Sequence, residues 1–357
     1  MIVLVMIFLI SVLIVKVIED LTMQVRARTV QVSRDELRFV GLSALESTLA
    51  VLNEIREIDG MLSGPAQGWT DPMAYADTLT WPEGLEIEVT VTDETGKFPL
   101  NEVTGSQLVA FFDTLDVDYS DAETLSDSLL DWMDEDDDTR LNGAEKNFYE
   151  DEDPPISPAN APLNSWEALR YIKGFKELFF DEKGAPNELH TRFTQSFSLH
   201  TTADPNMNTA QADVLETLSE QYGFDDEYLI DQRNGQDRIP GTDDDEFFTS
   251  ADDITALGIS IGETPASYTC EVLKIEVRVS FGEKAYLLTA LVDTGEGSDD
   301  DEDSSSGNAS GSPSSPSTST PGGSTSTTTG GGSSTTSGSE STYPFTLVKL
   351  VESMEID

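Results

Sequence analysis

Leu42, Leu45, Leu49, Leu52 and Ile55 recur three and four residues apart, continuing an almost wholly apolar run from Met1 to Val15. From Leu21 to Ile58 there is no proline and one glycine, Gly41. The spacing predicts an unbroken helix, apolar at its tip and amphipathic below. At 1.5 Å per residue, roughly 58 residues would extend on the order of 85 Å. Gly64-Pro65, Gly68, Pro72 and Pro82 then mark a loop. Leu85 to Thr92 changes period: Leu85, Ile87, Val89 and Val91 alternate with Glu86, Glu88, Thr90 and Thr92, as in a half-buried strand.

Helical spacing dominates the next stretch, with candidates at Ser106 to Leu115, Ala122 to Trp132, Ser165 to Ile172, Thr209 to Tyr222 and Ser250 to Leu257. Asn164, Asn208 and Ser250 each precede Glu, Gln or Asp by three residues and read as helix caps. Alternation returns after Glu271. Leu273, Ile275, Val277, Val279 and Phe281 share one face, Gly282-Glu283-Lys284 turns the chain, and Tyr286 to Val292 runs back as a hairpin. Tyr343 to Val351 supplies a last apolar run.

The order predicts an α+β fold: a long N-terminal helix packed on a small antiparallel sheet, with a large mainly α-helical domain inserted in the sheet. Its expected parts are a membrane-anchoring and stem helix (1–58), a loop and first strand (59–102), the helical domain (103–268), the hairpin (269–294), a Gly/Ser/Thr-rich acidic loop (295–342) and a last strand (343–357). The acidic loop is too polar to offset its ordering entropy and is expected to be disordered.

Charge changes the picture. Against 68 acidic residues there are 20 basic ones, a formal charge of −48 in 357 residues. Such a field repels nucleic acid and attracts divalent cations and basic surfaces. Leu169 to Phe180 has the outline of a helix-hairpin-helix, but Lys173 and Lys176 are too few to hold phosphates there, so packing of two short helices is expected. Cys270 is the only cysteine, which excludes an intrachain disulfide. There is no P-loop, Rossmann glycine signature, nucleophile elbow, HExxH or CxxC, and His190 and His200 lack a cysteine partner. An enzyme is not expected.

The candidate chemistry lies after the Leu125, Leu129, Leu130 and Trp132 stripe, where Asp134, Asp136, Asp138, Asn142 and Glu145 occupy places one, three, five, nine and twelve of a twelve-residue oxygen cage. That spacing suits calcium, a hard cation that takes carboxylate and carbonyl oxygens. The sixth place, which an EF-hand reserves for glycine, is Thr139, so the loop is not a standard EF-hand. A second acidic cluster, Asp237 with Asp243, Asp244, Asp245 and Glu246, follows no ligand template.

The run LSDSLLDWMDEDDDTRLNGAEKNFY (125–149), followed by SPANAPLNSWEALRYIKGF (157–175), resembles the type II secretion minor pseudopilin K family, GspK, whose members carry these short motifs in this order. The resemblance implies a pilin-like, non-enzymatic subunit at the tip of the type II secretion pseudopilus, supporting protein export across the outer membrane. It implies as partners two other minor pseudopilins in a tip trimer, the major pseudopilin, an inner-membrane assembly platform and, if a leader exists, a prepilin peptidase. It also implies a single helix in the bacterial inner membrane with the bulk periplasmic.

A crossing helix needs about 20 apolar residues, so Met1 to Ile18 is marginal alone. Arg26, Arg28, Arg34 and Arg38 would by themselves place the bulk in the cytoplasm, unless a leader supplies competing basic residues. The fifth residue, Val5, is apolar, similar to the K-type subunit if Met1 is the mature start. The alternatives are a membrane-tethered, calcium-dependent periplasmic binding module and a minor pilin of a type IV pilus.

Overall fold

The computed structural model describes residues 2–75, 81, 84–242, 244–282, 284–295 and 345–356; at the N-terminus, side chains are described over 13–19 and from 34 onward. Helix α1 (Ile2–Asp59) is continuous. Among the described residues no helix is long and apolar enough to cross a membrane; the side chains of 1–12, on which the anchoring expectation rests, lie outside them. The expectation for the Gly/Ser/Thr-rich loop likewise falls on residues 296–344, outside the described residues.

Strands β1 (Glu86–Asp93), β2 (Phe98–Pro99), β3 (Phe197–Ser198), β4 (Val272–Phe281), β5 (Lys284–Asp293) and β6 (Thr346–Ile356) form two sheets. The larger has the order β1-β4-β5-β6 and is antiparallel throughout. Its period-2 pattern points Leu273, Ile275, Val277 and Val279 of β4 and Tyr286, Leu288, Ala290 and Val292 of β5 toward one face. Leu37, Val40, Ala44, Leu45, Leu49 and Leu52 of α1 cover that face, so helix stripe and sheet stripe bury each other.

Gly41 sets the approach. A Cβ there would lie 2.6 Å from Tyr286 Cε1 and 2.8 Å from its Cδ1. Gly41→Val is therefore expected to push α1 off β5 and cost about 1–3 kcal/mol, read as a lower urea midpoint. Arg38 also ties α1 to β6 through Glu352 at 2.8 Å, but both groups are substantially exposed, so the pair contributes at most about 1 kcal/mol.

Between β1 and β4 the chain builds α2 (Gly105–Thr114), α3 (Tyr119–Met133), α4 (Lys146–Glu150), α5 (Phe175–Phe179), α6 (Glu188–Ser196), α7 (Ala212–Tyr222), α8 (Asp226–Arg233) and α9 (Ala251–Ala256). These enclose a second core in which Phe193 is fully buried among Phe111, Phe112, Trp166, Phe175, Phe179 and Phe197. The short parallel pair β2 and β3 brings Phe98 against Phe197, ring centroids 5.4 Å apart.

The expected cap Asn208 is not a cap. Gln211 precedes α7, whereas Asn208 is buried and bonds Phe248 in both directions, its Nδ2 donating to the Phe248 carbonyl at 2.8 Å and its Oδ1 accepting from the Phe248 amide at 2.7 Å. Likewise Ser165, not Asn164, caps the 3-10 turn Trp166–Tyr171. Ser250 does cap α9, with Asp253 completing a capping box.

The sheet and the helical region meet at Asp93, the buried end of β1. Its Oδ2 accepts from Asn206 Nδ2 at 2.9 Å and Thr209 Oγ1 at 2.6 Å, and its Oδ1 from the Thr95 amide at 2.9 Å. Thr95 Oγ1 in turn accepts from the Glu271 and Val272 amides at the start of β4. Backbone donors that the end of the β1–β4 ladder would orphan are thus satisfied by side chains.

Candidate metal centre at the end of helix α3

Helix α3 buries Leu125, Leu129 and Trp132, while Asp127, Asp131 and Asp134 recur at i, i+4 and i+7 as a second stripe. The loop that follows returns along this acidic stripe. Asp127 Oδ2 accepts from the Asn142 amide at 3.0 Å and from Asn142 Nδ2 at 3.3 Å. Asp131, fully buried, accepts from the Arg140 amide at 3.1 Å through Oδ2 and from Arg140 Nη1 at 2.7 Å through Oδ1. The same Nη1 donates to Asp134 Oδ2 at 2.5 Å.

Gly143 explains how the loop comes this close. A Cβ on it would stand 2.0 Å from Asp131 Oδ2 and 3.1 Å from the Asp127 carbonyl oxygen. Lys173 clamps the loop from the other side, its Nζ donating to the Asn142 and Gly143 carbonyls at 2.9 Å each. That contact belongs to the packing of the Leu169 to Phe180 turn, in which Phe175 and Phe179 are buried. Asn160, with φ 42°, comes back to the end of α3: its amide donates to the Trp132 carbonyl at 3.0 Å and its Nδ2 to the Asp136 carbonyl at 3.1 Å.

Four oxygens in this region are buried without a hydrogen-bond partner: Asp134 Oδ1, both carboxylate oxygens of Glu145 and Asn160 Oδ1. Glu145 is only 3% exposed. Burial, reinforced by the negative charges of Asp131 and Asp134, pushes its carboxyl up to about 7. Burial also raises Asp131, against the opposing pull of Arg140. An orphaned buried carboxylate is costly, and oxygens of this kind are those a hard divalent cation takes, although Asp131, Asp134 and Glu145 do not bring one oxygen each within 4.8 Å of one another.

Of the five predicted ligands, Asp134 and Glu145 thus take part in this buried cluster. Asp136 is exposed and accepts the Asp138 amide at 2.8 Å, Asp138 is exposed, and the Asn142 side chain is spent on Asp127. Spacing along the loop did not reveal Asp131, which lies before the loop, or Asn160, which lies well after it. The three-and-four recurrence of acidic residues along α3 was the available signal for Asp131.

Among the described residues, one group of carboxylates has oxygens all within 4.8 Å of one another: Asp237, Asp244 and Asp245. It differs from the α3 cluster in kind. Asp244 accepts from the Gln236 amide, Asp245 from the Gly241 amide and Asp237 from the Ile239 amide, and none is fully buried. Asp243 lies outside the described residues. Burial lowers both histidines: His190 packs on Phe180, and the His200 amide donates to Ser198 Oγ.

Residues 90–182, which hold α2, α3, the acidic loop and Asn160, match the family model for type II secretion system (T2SS), protein K. No curated protein matches the chain. Among solved structures, the chain is similar to one in the crystal structure of the GspK-GspI-GspJ complex from the enterotoxigenic Escherichia coli type 2 secretion system. The identity is 21% over 75% of this chain and 94% of that one, with a TM-score of 0.52, a likeness of fold. The resemblance read from residues 125–149 and 157–175 is thus borne out by the match of residues 90–182, the segment that also builds the buried acidic cluster, to the type II secretion system protein K model.

Proposed function

We propose that the chain is a minor pseudopilin at the tip of the type II secretion pseudopilus, acting in protein export across the outer membrane rather than as an enzyme. The observation that carries this reading is the protein K match over residues 90–182, falling on the segment that leaves Glu145 buried and unpaired. In this reading α1 is the stem of a pilin-like fold, its N-terminal end anchored in the inner membrane and the rest of the chain periplasmic. The helical region between β1 and β4 is then a domain inserted in the sheet. Its bulk above the stem would block addition of a further subunit there, as suits a cap.

The partners proposed are two other minor pseudopilins, consistent with the complex in which the similar solved chain occurs. The major pseudopilin and an inner-membrane assembly platform would act on the same stem. Calcium is the proposed ion, held by Glu145, Asp134 and Asn160 with Asp131 behind them; it would supply positive charge that closes the acidic loop on α3.

The test is co-purification of the detergent-solubilised full chain with the two neighbouring minor pseudopilins, in calcium and in chelator. A one-to-one-to-one complex that weakens in chelator is expected. With the partners shown to be folded, no complex in either condition would overturn the tip reading and favour a tethered binding module.

A further inference from the structure

We propose that Arg140 is a built-in counter-cation of the α3 site, reducing its negative charge and holding the acidic loop on α3 when no ion is bound. This rests on the reading of Glu145 and Asp134 as calcium ligands.

Negative charge is in excess at the site. Asp131, Asp134 and Glu145 bring three carboxylates to the site, and Arg140 brings the guanidinium that touches the first two. Asp127 and Lys173, which grip the loop from either side, add one charge of each sign. Asp137, whose charge also bears on Glu145 and whose Oδ1 accepts from Asn160 Nδ2 at 3.4 Å, adds a further negative, so an excess of negative charge is left for a divalent ion.

The geometry separates the two cations. Asp134 gives Oδ2 to Arg140 and keeps Oδ1 buried and unpartnered, so one carboxylate can serve the guanidinium and an ion at once. Arg140 is fixed at both ends, with its amide and its Nη1 on Asp131, while its side chain is 37% exposed at the mouth of the cluster. The guanidinium therefore competes electrostatically with an incoming ion without filling the oxygens left to it. It also offsets the repulsion between Asp131 and Asp134 when the ion is absent.

Removing this charge has opposite effects on the two states. In the ion-free protein, Asp131 and Asp134 lose their only shared cation and the loop loosens. Toward calcium, the site becomes more negative and binds harder. For one charge removed near a partly exposed site, affinity should rise by about 10- to 100-fold.

The experiment uses the full chain in detergent, with calcium affinity measured by competition against a chromophoric chelator and thermal melting followed in chelator and in saturating calcium. Wild type is expected to bind calcium. R140Q is expected to bind it about 10- to 100-fold more tightly, to melt lower in chelator, and to regain most of the difference in saturating calcium. R140K keeps the charge and is expected to stay within about threefold of wild-type affinity.

Equal or weaker calcium affinity in R140Q would overturn the proposal. So would an R140Q chain that stays unfolded in saturating calcium, or an R140K chain that tightens as much as R140Q. A folded wild-type chain that binds no calcium would instead overturn the calcium reading on which the proposal rests.

Discussion

Phe193→Ala is expected to lower stability by about 3–5 kcal/mol, the range for emptying a large aromatic site in a core. Six rings surround Phe193, with centroids from 4.6 Å at Phe197 to 6.0 Å at Phe111 and Trp166. They come from α2, α5, β3 and the Trp166 turn, segments that cannot all move inward to refill the space. The loss thus combines the transfer term, the cavity term and the edge-to-face ring contacts. Equilibrium urea unfolding of the full chain in detergent measures it, and Phe148→Ala is the control. Phe148 is 39% exposed and should cost far less. Equal losses at the two sites would mean that the Phe193 cluster is not the keystone of the helical region.

Asp93→Ala should be nearly as severe, at about 3 kcal/mol or more, through a different mechanism. It deletes the acceptor for Asn206 Nδ2, Thr209 Oγ1 and the Thr95 amide at a site sealed from water. Each buried donor left alone costs about 1–3 kcal/mol, although Asn206 keeps a bond to the Ser63 carbonyl. The pH dependence has a definite sign. Burial raises the Asp93 carboxyl above its ordinary value, opposed by the hydrogen bonds from Thr209 and Asn206. Its contribution is therefore fully present below the unfolded value of about 4 and is lost as pH rises through the folded value. The alanine variant lacks that contribution, so the stability gap should widen on acidification. A gap independent of pH would show that Asp93 does not titrate differently on folding.

Much of the fold was legible because it rests on local periodicity. The stripe from Leu42 to Ile55 runs within α1, and alternation from Leu273 to Phe281 places β4 to within a residue. What escaped depends on distant partners. Helix α6 reads ELHTRFTQS, with only Leu189 and Phe193 apolar, and its start is marked by Asn187, whose Oδ1 accepts the His190 amide at 3.1 Å. The parallel pairing of β2 with β3 spans two residues per strand and leaves no periodic trace. Asn208 looked like a cap because the local pattern is correct, but tertiary hydrogen bonds claimed its side chain.

The acidic site divides along the same line. A loop template finds ligands close in sequence, and it picked out Asp134 and Glu145. It also picked out Asp136 and Asp138, which point to solvent, because in so acidic a stretch the spacing of carboxylates carries little information. Gly143 does not stand at the place an EF-hand turn reserves for glycine. Its role is steric, admitting the loop to within contact of Asp131.

The larger sheet is closed around its interruptions. Asp93 stands opposite Leu273 where the helical region leaves β1 and rejoins β4, and Asp293 stands opposite Thr346 where the chain leaves β5 and returns as β6. Both departures begin and end on hydrogen-bonded neighbours, a few ångströms apart. Each pair is a socket: the ladder has already met the entropic cost of bringing the two ends together, and that cost grows only slowly with the length of what is plugged in. Lineages could therefore exchange, enlarge or shrink either cargo without rethreading the sheet or shifting its register.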